Sequence, residues 1–385
     1  MWIRTLPAAL SIWLALTIPA VAFHRTPAIQ EALVRAGDQL LNQDLAGADA
    51  TCLSLLAQSE GVAAGHFCRA LMHATRAESA DDPALDQQRF LDDASAAQAA
   101  AEQMQRAAPS DPEVKLLLGS VLGGKAMVHG ARGEYFTALG EVKDAHRYFE
   151  DARRLDPGLV DAGYGLALYQ IAIGDLPAFL KPLTALVLPR GDASQGIAML
   201  EDVAERGTVF KMPARFALLY LYIAPKIGRY ADALRLGDDL LRRYPGNPDL
   251  YFATALAASE SGRFDRALDI GRRVHEQIAA GQPGFPADLL PRYEHLMGKL
   301  YMDQGEDAMA LTFFQRAVQT PTRPRLRWIT ALAWARSGMI YDRRGDREEA
   351  VRRYRAALSI ESGGVGQDLA RRYLDSPYRG RPEHS

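Results

Sequence analysis

Two cysteines, two nearby histidines and an Arg-Gly-Asp triplet are the residues of this sequence that most invite a chemical reading. Cys52 and Cys68 flank Ser59-Glu60-Gly61, a turn signal between two helical runs, and each stands eight residues from Glu60. In an antiparallel helical hairpin, equal distances from the turn give equal heights, about 12 Å up each helix at 1.5 Å per residue. The spacing therefore predicts a disulfide, with two buried thiols packed as small apolar groups as the alternative. His66 and His73 are seven apart and can share a helix face beside Cys68. A structural zinc needs four ligands and no fourth is visible, so they read as ordinary helix histidines and no metal site is assigned. Arg190-Gly191-Asp192 falls where a loop must turn into a helix; Gly gives the turn, and Asp192 or Ser194 the cap. There is no Gly-rich phosphate loop, G-x-S-x-G, H-E-x-x-H or C-x-x-C. No catalytic residue and no cofactor is assigned, and the chain is expected not to be an enzyme.

The elements that would carry these residues are helical. The 385 residues are 48% hydrophobic and 24% charged with a formal net charge of -2, an ordinary globular balance with ample apolar surface to bury. Charge this close to zero argues against a general nucleic-acid or anionic-membrane binder. Ala is abundant and favours helix, because it loses no side-chain entropy there; Asn occurs only at 42 and 247. Residues 1–22 read as a secretory signal peptide: Arg4, an apolar run from Leu6 to Val21, and Ala20-Val21-Ala22 at a cleavage site before Phe23. An uncleaved N-terminal anchor is the alternative, and no other segment is long and apolar enough to span a bilayer. The expectation is an exported chain, periplasmic or secreted, and such a compartment permits a disulfide.

GRYADALRLG begins at Gly228, and GRFDRALDIG follows 34 residues later at Gly262. That period is the spacing of a helix–turn–helix unit that stacks into a solenoid. Gly228 and Gly262 fall where a first helix stops, since Gly tolerates the left-handed backbone there. Tyr230 and Phe264 plug the turn, and Ala233 and Ala267 open the second helix where two helices must approach closely. Pro245 ends the first copy. Further copies run through Gly133, Ala145, Phe149, Ala152 and Pro157; through Gly298, Tyr301, Gly305, Ala310, Phe314 and Ala317; and through Trp334, Gly338, Tyr341, Gly345, Ala350, Tyr354 and Ala357. Ala97, Ala101 and Pro109 suggest a degenerate early copy. This pattern resembles the tetratricopeptide repeat family, and the resemblance covers about Gln87 to Ile360. It implies an all-α, right-handed α-solenoid. Some members grip a C-terminal carboxylate with Lys and Asn, a clamp that the scarcity of Asn excludes here.

The chain then divides into an N-terminal set of degenerate helical repeats (23–110), one repeat plus an irregular helical insert (111–213), C-terminal repeats (214–375) and a tail (376–385) that lacks an apolar face and should be disordered. In the insert, a helix over Gly163–Ile173 and another from Ala193 or Ser194 through Glu205 flank an apolar stretch broken by Pro177, Pro182 and Pro189. Gly163 to Leu166, Leu180 to Leu183, Gly191-Asp192, Gly196 and Leu200 look like the tetratricopeptide-repeat-domain-39, or inclusion-body clearance, family. Near the C-terminus Glu348 and Glu349 interleave with Arg352, Arg353 and Arg355 at helical spacings. That reads as a solvated face laced with i,i+4 pairs, with a basic patch for an acidic peptide, phospholipid or polysaccharide as the alternative.

Aligning the repeat alanines puts one stripe on the first helices. It holds Arg215, Leu218, Tyr222 and Lys226; Asp249, Phe252, Leu256 and Glu260; Arg292, His295, Lys299 and Asp303; and Leu332, Ala335, Met339 and Arg343. Tyr222 and Phe252 either lie inside against the neighbouring repeat or stand partly exposed as anchors within a polar rim. Arg292 and Lys299 are expected to attract acidic residues. The predicted function is a non-enzymatic scaffold that binds a protein or peptide partner along this groove, with no nucleic acid. The alternatives are an accessory subunit of an envelope transport or assembly machine, and a small-ligand carrier or enzyme with a pocket walled by Phe179, Leu183, Leu186 and Leu188. The register predicts that Ala145, Ala233, Ala267, Ala310 and Ala350 are buried, and that Ala331 tolerates a larger side chain.

Overall fold

The computed structural model describes residues 26–174 and 189–380. Among them are seventeen α-helices, three short 3-10 turns and no strand, so the all-α, stacked-hairpin class expected from the sequence is found. The signal-peptide reading and the apolar residues Phe179, Leu183, Leu186 and Leu188 lie outside the described residues. No helix among the described residues is long and apolar enough to cross a membrane.

The chain forms two compact units, one ending at Leu221 and the other beginning at Tyr222. The first contains α1 (Pro27–Leu41), α2 (Leu45–Leu56), α3 (Val62–Ser79), α4 (Ala84–Ala107), α5 (Pro112–Ala131), α6 (Tyr135–Leu155), α7 (Ala162–Gly174), α8 (Ala193–Arg206) and most of α9 (Lys211–Ile223). The second contains α10 (Tyr230–Arg243), α11 (Pro248–Glu260), α12 (Phe264–Ala279), α13 (Leu290–Asp303), α14 (Asp307–Gln319), α15 (Arg327–Arg343), α16 (Arg347–Ser359) and α17 (Gly364–Asp375).

Helix starts follow from local chemistry. Thr26-Pro27, Asp111-Pro112 and Asn247-Pro248 each place a capping side chain before a proline that needs no intrahelical partner. Both asparagines of the chain are spent on helix ends, Asn42 at the C-cap of α1 and Asn247 at the N-cap of α11. The first helices of the hairpins end at Gly133, Gly228, Gly262, Gly305 and Gly345, all at positive φ, where a side chain would strain the backbone.

Packing within a hairpin stack explains the repeated alanines and aromatics. Ala145 is 4% exposed, and Ala233, Ala267, Ala310 and Ala350 are fully buried. Phe314 and Tyr354 lie against Gly298 and Gly338, where a Cβ would come within 2.5 Å and 2.6 Å of the ring. A small residue on the first helix thus makes room for the aromatic of the second.

In the first unit, Cys52 and Cys68 are joined by a disulfide with Cα atoms 5.5 Å apart, tying α2 to α3. Asp192 caps α8 by accepting from the backbone N–H groups of Ser194 and Gln195, as the turn reading of Arg190-Gly191-Asp192 expected. Buried Asp161, just before α7, accepts from the N–H groups of Thr208, Val209 and Phe210 and fixes the entry to α9.

Two expectations need correction. Ala331 is not a tolerant surface site: it is fully buried, and its Cβ lies where Gly363 and Gly366 approach. The reason is α17, an extra helix that packs on α15 and α16 in place of another repeat. The Gly/Pro-rich stretch after α12 packs as well, with Phe285 buried and its ring edge-on to Tyr251 at 5.4 Å. The tail is ordered at its start: the Tyr378 N–H donates to Asp342 Oδ2 at 2.8 Å, and its ring meets Tyr373 at 5.2 Å. Asp342 also accepts from the Tyr354 hydroxyl and pairs with Arg347, so one buried carboxylate gathers three donors.

Candidate functional site

In the second unit the stripe residues of α11, α13 and α15 form a row of cross-helix contacts. At one end Arg292 pairs with Asp249 and lays its guanidinium over the Phe252 ring at 4.0 Å. At the other end Lys299 pairs with Glu260 at 3.1 Å and with Asp303, and Ser259 donates to Asp303 at 2.8 Å. Between them Arg336 Nη1 donates to His295 Nε2 at 2.7 Å. Beyond Asp303, Arg343 and Arg344 share Asp307. Apart from the Lys299–Asp303 pair within α13, these contacts join one repeat to the next, so the row clamps consecutive first helices in register.

Burial and charge fix the protonation of this row. His295 is held well below its ordinary value, first by burial and then by the positive charges of Arg336, Lys299 and Arg292. It is therefore neutral and presents Nε2 as an acceptor. Burial also lowers Lys299, although Asp303 and Glu260 act against that shift.

The predicted partner-binding residues fall into three groups. Phe252, Arg292, His295 and Lys299 come together in the row, and half-buried Leu256 lies on the same helix as Phe252. Met339 is buried in the core with Phe314 and Tyr354, and Arg343 is exposed but engaged by Asp307. Half-buried Arg215 and buried Leu218 belong to the first unit. Tyr222 and Phe252 are 6% and 7% exposed; each is covered by an arginine, Arg229 at 4.1 Å and Arg292 at 4.0 Å. The inside placement is the one found. The expected attraction of acidic partner residues by Arg292 and Lys299 is corrected too, because Asp249, Glu260 and Asp303 of this chain already neutralise them. Sequence reading missed Arg336 by placing Ala335 on the stripe; its signal was the position four residues after Leu332, one helical turn along the same face.

A second polar cluster lies in the first unit. His66 Nδ1 is 2.9 Å from Asp93, while His73 has Asp86 3.4 Å from Nδ1 and Asp93 3.6 Å from Nε2. Cys68 is committed to its disulfide, and among the described residues no group of His, Cys, Asp and Glu could hold a metal ion.

Residues 333–364, spanning most of α15 and all of α16, match the family model of the tetratricopeptide repeat. No curated protein matches the chain. Among solved structures it is similar to a tetratricopeptide repeat protein from Parabacteroides merdae, at 16% identity and TM-score 0.32 over 80% of this chain and 99% of that one. It is also similar to the human IFIT1 dimer with m7Gppp-AAAA, at 12% identity and TM-score 0.44 over 96% of this chain and 86% of that one. The matched segment contains Gly338, Tyr341, Gly345, Ala350, Tyr354 and Ala357, the last copy of the pattern read in the sequence.

Proposed function

We propose that the chain is an exported, non-enzymatic scaffold whose first helices in the second unit hold an extended protein segment. The observation that carries this reading is the row of α11, α13 and α15, in which side chains from three successive first helices are held in fixed positions by one another. Preordered side chains lose little entropy when a partner arrives. Because the row is neutralised from within, recognition here rests on shape and hydrogen bonding around Leu256 and Arg336 more than on net charge. The buried disulfide supports an oxidising compartment, in keeping with the leader-like sequence of residues 1–22. The likeness of Gly163 to Leu166, Gly191-Asp192 and Gly196 to the tetratricopeptide-repeat-domain-39 family adds no function to this reading.

Position-specific photo-crosslinking in the native host tests the proposal. A photoreactive residue at Leu256 is expected to trap a defined protein partner, and the same residue at exposed Arg272 on α12 is not. Equal trapping at both positions would remove the first-helix row from consideration.

A further inference from the structure

We propose that a cleft between α14 and α16, the second helices of the last two repeats, binds a carboxylate-rich protein segment. This surface is separate from the first-helix row. The cleft has a volume of about 460 Å3 and is floored by α15, within the size range of ligand pockets. Its lining offers two guanidiniums (Arg316 and Arg353), two amides (Gln315 and Gln319) and the Tyr341 hydroxyl, and no carboxylate; the Thr312 and Ser337 hydroxyls donate within their own helices. A concavity lined by one sign of charge concentrates potential and draws the opposite charge.

The two arginines are prepared differently. Arg353 is a fixed fork: its guanidinium lies 4.9 Å from the Trp334 ring and 5.4 Å from the Tyr341 ring. Its Nε pairs with Glu349, and its Nη1 reaches Gln315 Oε1 across the cleft at 3.5 Å. Among the described residues no hydrogen bond occupies its Nη2. Arg316 is exposed and rests 5.3 Å from the Phe313 ring. It makes no ion pair among the described residues, although it helps hold buried Glu294 in its charged form. One half-neutralised guanidinium and one unpaired guanidinium leave a positive balance. Arginine recognises carboxylates through paired N–H donors, and the glutamine amides add neutral donors beside it. Leu311 and Tyr341 in the same lining suit a peptide, which brings apolar atoms along with its carboxylates, better than a bare anion.

The test uses the full chain, with an N-acetylated hexaglutamate amide as the probe, at low salt. Binding is read by calorimetry and by the fluorescence of Trp334, which lies under Arg353. Saturable binding is expected, weakened at least tenfold by Arg316→Glu and also by Arg353→Gln, with hexaglutamine giving no signal. Arg316→Glu breaks no ion pair or side-chain hydrogen bond among the described residues, and a melting curve verifies that it is folded. Absent hexaglutamate binding, or binding that Arg316→Glu leaves unchanged, overturns the proposal. Displacement of the peptide by an equal concentration of inorganic phosphate also overturns it, by showing a small-anion site. Cross-linking at Leu256 bears on the other surface, so the two readings fail separately.

Discussion

The first-helix row and the second-helix cleft both contain arginines and a buried or half-buried aromatic, yet their charges have opposite fates. In the row each described cation has an acceptor from a neighbouring repeat or turn: Arg292 with Asp249, Lys299 with Glu260 and Asp303, Arg336 with His295. In the cleft Arg316 has no ion pair among the described residues, and Arg353 is only partly occupied. A charge satisfied inside the chain holds the stack together; a charge left facing a concavity is available to a ligand. Composition and spacing do not separate the two cases, because both are arginines at helical intervals. Only the identity of the residue opposite, some forty positions away, decides.

The largest effect expected from this contrast follows from Lys299→Met. It removes the ammonium that the carboxylates of Glu260 and Asp303, 11% and 10% exposed, share. Removing one partner from a buried ionic group costs about 3–5 kcal/mol. Arg316→Ala in the cleft should stay within about 0.5 kcal/mol, as for other surface changes. Urea unfolding followed through Trp328 and Trp334, both in α15, reads the second unit directly. Similar losses in the two variants would erase the distinction between row and cleft.

A smaller effect tests the packing beneath both surfaces. Ala310→Leu and Ala331→Leu each add volume to a fully buried position, one under the hairpin and one under α17. Overpacking of this kind costs about 1–3 kcal/mol. Both variants should melt at lower temperature than the parent, and a neutral Ala331→Leu would mean that α17 does not hold its place on α15.

Much of this was legible because the repeat writes its constraints locally. A glycine at a left-handed turn, an alanine at a helix crossing and a proline after a capping residue each state a backbone need within a few positions. The cysteines were legible for the same reason, since a hairpin converts equal distance from a turn into proximity. The exposure of Tyr222 and Phe252 was not legible. An aromatic mid-stripe looks alike whether solvent or an arginine covers it, and Arg292, which covers Phe252, comes from the next repeat. Ala331 misled because its neighbour α17 follows no repeat pattern, and Tyr378 because a single aromatic in a polar tail gives no periodicity.

The last prediction concerns pH and separates the row from the rest of the molecule. Folded His295 resists protonation, through burial and the charges of Arg336, Lys299 and Arg292 around it. Unfolded, it titrates near the ordinary 6.5. As pH falls through that value the unfolded chain takes up a proton that the folded chain refuses, so stability is full above it and declines below it. A single group of this kind gives a slope of at most about 1.4 kcal/mol per pH unit. Buried Glu294 acts with the opposite sign, because its carboxyl is raised in the fold and acidification favours the folded state through it. His73 is also lowered by burial, and it lies in the first unit. The informative quantity is therefore the difference between the parent and His295→Gln, whose amide oxygen can still accept from Arg336 and has no proton to gain. Urea midpoints measured through Trp328 and Trp334 between pH 8 and pH 5 should fall more steeply in the parent than in the variant. Parallel curves would show that His295 is not the neutral acceptor on which the centre of the row depends.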